Sequence, residues 1–337
     1  MSEVIILSQD DVKLCLPMSK AIEAVQEAYI SFAKGRVKMP PVMHLDVSQY
    51  NGEIDIKSGY IEDLGLIGTK IASGFYDNYK LGLPPGIAVI ILMDLKTSMP
   101  LAIMDGTYVT AYRTGAAGAV AAKVLARKES ELIGVIGAGT QARMQILALK
   151  EIFSLKEVRV WDINTTARDL YSKEMSEQLK IKVKPVDNIK DAVIESDIVV
   201  TVTPSKKALV MRDWIKAGTH INSIGADAPG KQELEPMIIK IADKVVVDSL
   251  EQCKIIGEIQ HALGAGLIDE KDIYAEIGQI LIGEKKGRES KEEITLFDST
   301  GLAAQDIAAA NIVYKQAKEK GIGNIISLLN IESKGGL

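Results

Sequence analysis

The sequence predicts an α/β protein with a doubly wound parallel sheet of the Rossmann type, preceded by a separate α+β region. Three observations carry this. From Leu132 onward, short apolar runs alternate with helical stretches, the pattern of parallel strands joined by crossover helices. Before that, several strand-like runs follow one another with no helix between them, as in an antiparallel sheet. At the head of the alternating half lies a glycine-rich turn, Gly137-Ala-Gly-Thr-Gln-Ala142, which joins its first apolar run directly to a helix.

Taken in order, Ser8 is placed to cap a short helix through Leu14, and Ser19 to cap a longer one. The longer helix puts Ile22, Val25, Ala28, Tyr29 and Phe32 on one face and stops at Gly35. Val42 to Val47 reads as a strand, Asn51-Gly52 as a hairpin turn, and Glu53 to Ser58 alternates apolar with polar. Leu66 to Ala72, Ile87 to Met93 and Leu101 to Met104 continue the strands. Thr107 to Lys128 forms one long helix rich in Ala and Gly, whose small side chains permit close approach to a neighbour. Strands then fall at residues 132–136, 158–161, 197–202, 219–224 and 244–247, with a weaker one at 181–186, and the first helix at 142–151. Residues 248–293 are expected to be mostly helical and polar, with 283–293 a solvated charged loop. A last strand, Ile294 to Phe297, leads through Asp298-Ser-Thr-Gly301 into a helix ending near Lys320.

A chain of 337 residues suggests about two domains and a core needing no covalent staples. The net charge of −5 and the lack of a dense basic run argue against nucleic acid or an anionic membrane as main partner. The two cysteines, Cys15 and Cys253, form no Cys-x-x-Cys pair and read as buried small hydrophobes in a reducing compartment. The first seven residues lack a basic region and the apolar length of a signal peptide, and the longest apolar run is strand-sized. A cytoplasmic enzyme is the expectation. His44, His220 and His261 are scattered, so no metal site is expected, and neither a Gly-x-Ser-x-Gly elbow nor a P-loop is present.

The glycine turn matches a dinucleotide fingerprint. Gly137 allows the tight strand-to-helix turn, Gly139 admits a pyrophosphate against backbone N–H groups, and Ala142 lets helix and strand pack closely. Asp162 lies about 25 positions beyond Gly137, at the end of the next apolar run, where an acid meets the adenosine ribose. A carboxylate there accepts from a free 2′-hydroxyl and repels a 2′-phosphate, which favours NAD over NADP. The nearest cation that could reverse the preference is Arg168.

Ligands of such sheets bind beyond the carboxyl ends of the strands. There the sequence offers Thr201, Thr203 and Pro204, then Ser223, Gly225 and Asp227, then Asp298, Ser299 and Thr300. Asp227 is expected to be partly desolvated, with a raised pKa suited to proton transfer. The alternative is an Asx turn or a cap for a helix after Gln232. Lys70 inside an apolar strand and Arg113 inside a small-residue helix are candidates for clamping a carboxylate. The alternatives are an outward-facing lysine and a structural ion pair.

Four separated runs resemble the ornithine cyclodeaminase/mu-crystallin family. They are Met104-Asp-Gly-Thr-Tyr-Val-Thr-Ala-Tyr-Arg-Thr-Gly-Ala-Ala-Gly118, Gly137-Ala-Gly-Thr-Gln141, His220 to Leu234, and Phe297-Asp-Ser-Thr-Gly-Leu-Ala303. Within the family the chain looks similar to the archaeal-type alanine dehydrogenases. The resemblance implies a homodimer whose subunit has a substrate-binding and dimerisation domain at residues 1–116 and 306–337, and a dinucleotide-binding domain at 117–305. It implies that Lys70 and Arg113 meet the substrate carboxylate and that Asp227, with Lys70, serves catalysis. The expected cofactor contacts are Gly137, Gly139, Thr140, Gln141, Asp162, Thr114, Thr201, Thr203, Ser223 and Ser299.

One departure from the family pattern is that Val42 and Met43 follow Pro40-Pro41 where many members carry a cation. The expected activity is NAD(H)-dependent oxidoreduction at the Cα–N bond of a small amino acid or its imine. Alanine dehydrogenase and pyrroline-2-carboxylate reductase chemistry both fit. One rival is a cyclodeaminase that converts ornithine to proline, for which Glu53 or Asp55 would meet the distal amine. The other is a binding protein of the mu-crystallin kind.

Overall fold

The computed structural model describes residues 2–329. These divide into two compact units, one running up to Arg113 and resuming at Leu302, the other being Thr114–Gly301. Among the described residues no helix is long and apolar enough to cross a membrane.

The first unit opens with β1 (Ser2–Leu7), α1 (Gln9–Cys15) and α2 (Met18–Ala33). Ser8 caps α1 reciprocally with Asp11, as expected, whereas Ser19 lies inside α2, which starts behind Pro17 without a side-chain cap. Proline fixes φ for helix entry, so the start of α2 falls before the nearest hydroxyl. Then come β2 (Val37–Lys38), β3 (Met43–Val47), β4 (Gly52–Ile61), β5 (Leu66–Phe75), β6 (Gly86–Asp94) and β7 (Pro100–Asp105). From β3 to β7 each strand pairs antiparallel with the next, and Asn51 makes the β3–β4 turn with a left-handed φ of 48°. Helix α3 (Gly106–Leu125) follows, and the unit boundary falls within it.

The second unit alternates β8 (Leu132–Ile136), α4 (Thr140–Ile152), β9 (Glu157–Trp161), α5 (Thr165–Leu179), β10 (Lys182–Pro185), α6 (Ile189–Val193) and β11 (Ile198–Thr201). It continues through β12 (Lys206–Val210), β13 (His220–Ser223), β14 (Gln232–Leu234), α7 (Pro236–Ile241) and β15 (Lys244–Val247). Last come α8 (Leu250–Ile256), α9 (Ile259–Gly264), β16 (Ala275–Glu276), α10 (Ile277–Leu281) and β17 (Thr295–Asp298). Its eight-stranded sheet has the order β10-β9-β8-β11-β13-β17-β15-β16. All pairs are parallel, so both faces are covered by apolar clusters built on Ile133, Val135, Val158 and Val160 on one side and Ile136, Val199, Ile221 and Val245 on the other.

Two expectations fail here. Residues 248–293 are not mostly polar helix: the helices are short, and Cys253, Ile259, Ala262 and Ile277 are fully buried. Nor is 283–293 simply solvated. The Arg288 guanidinium donates to the Leu125 carbonyl at 2.6 Å and to the Thr295 hydroxyl at 2.9 Å, and Lys244 donates to the Gly287 carbonyl at 2.5 Å. These cations serve backbone carbonyls that no sheet partner satisfies.

The chain returns to the first unit in α11 (Ala303–Lys320) and β18 (Asn324–Leu329). The order of its sheet is β18-β1-β7-β6-β5-β4-β2, with β3 paired to β4, and β1 runs parallel to β7. Helix α11 packs on β4, β5 and β6, which buries one face of the sheet.

Candidate functional site

In the second unit, Gly137 follows β8 at a φ of +107°, and a side chain there would also press on the Val202 carbonyl at 3.1 Å. Gly139 precedes α4, and a Cβ added to it would meet no heavy atom within 4 Å. No side chain caps α4, so its first amides and the positive end of its dipole face that open space, where exposed Thr140 also stands. The buried Gln141 Oε1 beside them has no hydrogen-bond partner among the described residues. These features fit a bound pyrophosphate.

Asp162 directly follows β9, and its carboxylate accepts from the Ala138 and Asn164 amides, both at 2.7 Å. The fingerprint turn is thereby tied to the acid. Arg168 points elsewhere, donating to the Val186 carbonyl at 3.0 Å and to Asp187 at 2.8 Å. Thr114 is held by Gln145, which donates to its carbonyl at 2.8 Å. Around Gly118 the second half of α3 runs so close to Gln145 and Asn222 that a side chain would collide with both.

The strand ends contain a feature the sequence reading missed. Glu233 on β14 is fully buried, and its carboxylate accepts from the Thr203 amide at 2.5 Å, the Thr203 hydroxyl at 2.7 Å and the Gly225 amide at 2.9 Å. Buried Thr201 and Ser223 approach each other beside it, their hydroxyls 3.5 Å apart. Glu258 in turn accepts from the Glu233 and Leu234 amides. Burial pushes Glu233 up to about 7 and Glu258 up to about 9. Asp298 is pushed to about 7 for the same reason. Ser299 donates to the buried Asp248 at 2.9 Å, and Thr300 and Gly301 donate to the same carboxylate through their amides.

Asp227 needs a correction. It is not desolvated: its side chain is 53% exposed and pairs with Lys231 at 2.6 Å. Nor does it cap a helix, because Gln232–Leu234 is strand and the next helix starts at Pro236 behind Glu235. The loop itself is fixed by α9, where Gln260 accepts from the Gly230 amide at 3.0 Å and His261 donates to the Lys231 carbonyl at 2.7 Å.

In the first unit, Lys70 points inward from β5 and is 2% exposed, not outward-facing. Its ammonium lies 2.8 Å from Asp306 on α11, and the Arg113 Nε lies 2.9 Å from the other oxygen of the same carboxylate. Arg113 also donates to Gln305 at 3.1 Å, and Gln305 donates to the Tyr29 hydroxyl at 2.5 Å. Burial lowers Lys70 to about 7, outweighing the attraction of Asp306, while Arg113 and Lys57 add to the lowering. For Asp306, burial opposes ionisation but Arg113 and Lys70 prevail, and its pKa is lowered. Two buried cations thus share one buried anion. Asp306 was not foreseen, since a first-turn acid reads as an ordinary helix feature. The acids weighed for an amine are already engaged: Glu53 accepts from the Tyr76 hydroxyl at 2.6 Å and Asp55 pairs with His44 at 2.8 Å.

His220 is a core histidine, between Thr295 and Asn222 at 2.9 Å each, and burial lowers it to about 3. No metal-holding group of His, Cys, Asp and Glu occurs among the described residues.

The chain is similar to known proteins over nearly its whole length. An alanine dehydrogenase of Archaeoglobus fulgidus is 43% identical over 330 residues, 98% of this chain and 100% of the relative. A solved archaeal alanine dehydrogenase dimer with bound NAD superposes with a TM-score of 0.92 at 43% identity, covering 97% of this chain and 100% of that one. The Δ1-pyrroline-2-carboxylate reductase of Thermococcus litoralis, solved with NADH and L-proline, gives 0.92 at 40% identity, covering 95% and 99%. The sequence profile of the ornithine cyclodeaminase/mu-crystallin family matches residues 2–321, and the chain belongs to that family.

Proposed function

We propose that this chain is an NAD(H)-dependent oxidoreductase acting at the Cα–N bond of a small amino acid or its imine. The observation that carries the reading is the pair of buried cations, Lys70 and Arg113, which share the single carboxylate of Asp306 among the described residues. The excess positive charge suits one further carboxylate, which a 2-amino or 2-imino acid provides. The relatives named alanine dehydrogenase and pyrroline-2-carboxylate reductase act on such acids.

The fingerprint turn, Gly139, Thr140 and Gln141 would hold the pyrophosphate, and Asp162 the ribose, with Thr114, Thr201, Thr203, Ser223 and Ser299 as further contacts. When bound, the dinucleotide supplies or accepts a hydride at the substrate Cα. Lys70 and Arg113 orient the carboxylate, and Asp227 supplies a proton to the substrate nitrogen in the reductive direction. Exposure of Asp227 does not exclude this role, because catalytic hydrogen bonds often tighten only in the complex. In this reading residues 1–116 with 306–337 are the substrate-binding and dimerisation domain, carrying the carboxylate clamp, and 117–305 the dinucleotide-binding domain, carrying the fingerprint.

We also propose a cytoplasmic homodimer. The compartment rests on two buried free thiols, Cys15 and Cys253. The dimer rests on the exposed outer face of the first unit's sheet, where Met43, Leu45, Ile71, Ile87 and Val89 stand in cross-strand register.

A panel of 2-oxo acids with ammonium and of cyclic imines, assayed with NADH and NADPH, tests the reading. The expected result is NADH oxidation with pyruvate and ammonium or with Δ1-pyrroline-2-carboxylate. Proline formed from ornithine with no net change in NAD would overturn it. Asp227→Asn should lower kcat by about 100-fold or more, the usual range for a lost proton donor, while the Kd for NADH stays within about threefold.

A further inference from the structure

We infer that Glu233 is a positioning residue that fixes the loop after β11, carrying Thr203, against the loop after β13, carrying Asp227. The inference rests on the proposed function, since it concerns the proton donor of that reaction. The geometry is that of a latch. One oxygen of the carboxylate takes both donors of Thr203, and the other takes the Gly225 amide, two residues before Asp227. A side chain at Gly225 would collide with the Thr203 backbone and with Glu233 itself, so the loops touch only because this residue is glycine. Glu233 is immobilised from behind, because Glu258 holds its amide and that of Leu234.

All three donors present hydrogen to Glu233, so the site needs an acceptor on both oxygens. Beside it the Ile224 and Gly225 amides also donate to the Thr201 carbonyl at 3.0 and 3.2 Å, and α9 secures the far end of the Asp227 loop at Gly230 and Lys231. The Thr201 carbonyl fixes where the strand ends, and the Glu233 carboxylate adds the tie between Gly225 and Thr203 that sets the two loops against each other. A buried carboxyl is costly to desolvate, and an apolar residue in its place would leave the Thr203 hydroxyl and the Thr203 and Gly225 amides without this acceptor. Its retention at this point suits a role in placing the loops.

The variant Glu233→Gln keeps the volume but turns a donor toward Thr203 or Gly225. Amide hydrogen exchange, followed by mass spectrometry on the whole protein, is expected to rise about tenfold or more in residues 201–205 and 225–231 and to stay unchanged in the remaining strands. In steady state, kcat should fall about tenfold or more while the Kd for NADH, read by fluorescence, changes less than about threefold. Thr203→Val removes one donor with little change of shape and, read by exchange alone because Thr203 is also a proposed cofactor contact, should raise exchange in the same two loops by a smaller factor. It keeps the question answerable if the glutamine variant does not fold. Exchange unchanged in both loops, or raised throughout the second unit, would overturn the inference. So would kcat and NADH affinity falling in parallel in Glu233→Gln. The exchange readout needs no turnover, so failure of the proposed function, seen as an inactive parent chain, is separable from failure of the latch.

Discussion

At the scale of single residues, Lys70 sets a measurable pH dependence. Its folded pKa is lowered to about 7 by burial, so it carries its charge below that pH and loses it above. If Lys70 and Arg113 hold the substrate carboxylate as proposed, it meets two cations in mildly acidic solution and one in alkaline solution. KM for the acid substrate should therefore rise about tenfold between pH 6 and 9, the loss of one charge-assisted hydrogen bond. Lys70→Met should raise KM at pH 6 and flatten the profile. A KM that stays constant across that range in the parent enzyme would remove Lys70 from the carboxylate site.

Lys70 and Arg113 were legible because a cation in an apolar strand or a small-residue helix contradicts its surroundings. Asp306 was not legible. It lies 193 residues from Arg113, and nothing local distinguishes it from any acid in the first turn of a helix. Glu233 was hidden for the same reason, inside the strand-like run Gln232-Glu-Leu234, where its burial depends on loops distant in sequence. Asp227 was expected to be desolvated, whereas its side chain is 53% exposed and paired with the more buried Lys231 four residues on, a pairing that the turn's glycines did not announce.

At the scale of elements, the β8–α4 turn separates a folding role from a binding role. Gly137 has a conformation only glycine takes easily, whereas Gly139 has an ordinary φ of −79° and free space around it. Gly139→Val should therefore leave the thermal midpoint nearly unchanged and weaken NADH about tenfold or more, about 1.4 kcal/mol, because the branched side chain stands where backbone must meet phosphate. Calorimetry and NADH titration of one preparation check both halves, and undiminished NADH affinity would remove the turn from the cofactor site. Long strands and helices were legible in order and type because their apolar periods are strong. The pieces missed were β1, β2, β12, β14, β16 and β18, from two to six residues each, whose existence depends on a partner elsewhere in the chain. The segment 283–293 was misread because charge density looks the same on a solvated loop as on one whose Arg288 reaches back to carbonyls.

At the scale of the whole molecule, the alternating half announced its parallel sheet, and the insertion of β17 between β13 and β15 was the part no local pattern reveals. The first unit is less self-sufficient. One sheet face lies under α11, but on the other Met43, Ile71 and Val89 form a single row, 57%, 41% and 41% exposed. If a second copy covers that row, each subunit is a ligand for the other, and heat resistance becomes a function of how much protein is in the tube. The unfolding midpoint should climb with dilution reversed, from micromolar to hundreds of micromolar chain. Ile71→Asp should abolish that dependence and halve the mass seen by light scattering. A midpoint indifferent to concentration in the parent chain, with monomer mass throughout, would mean that the bare sheet face is tolerated alone.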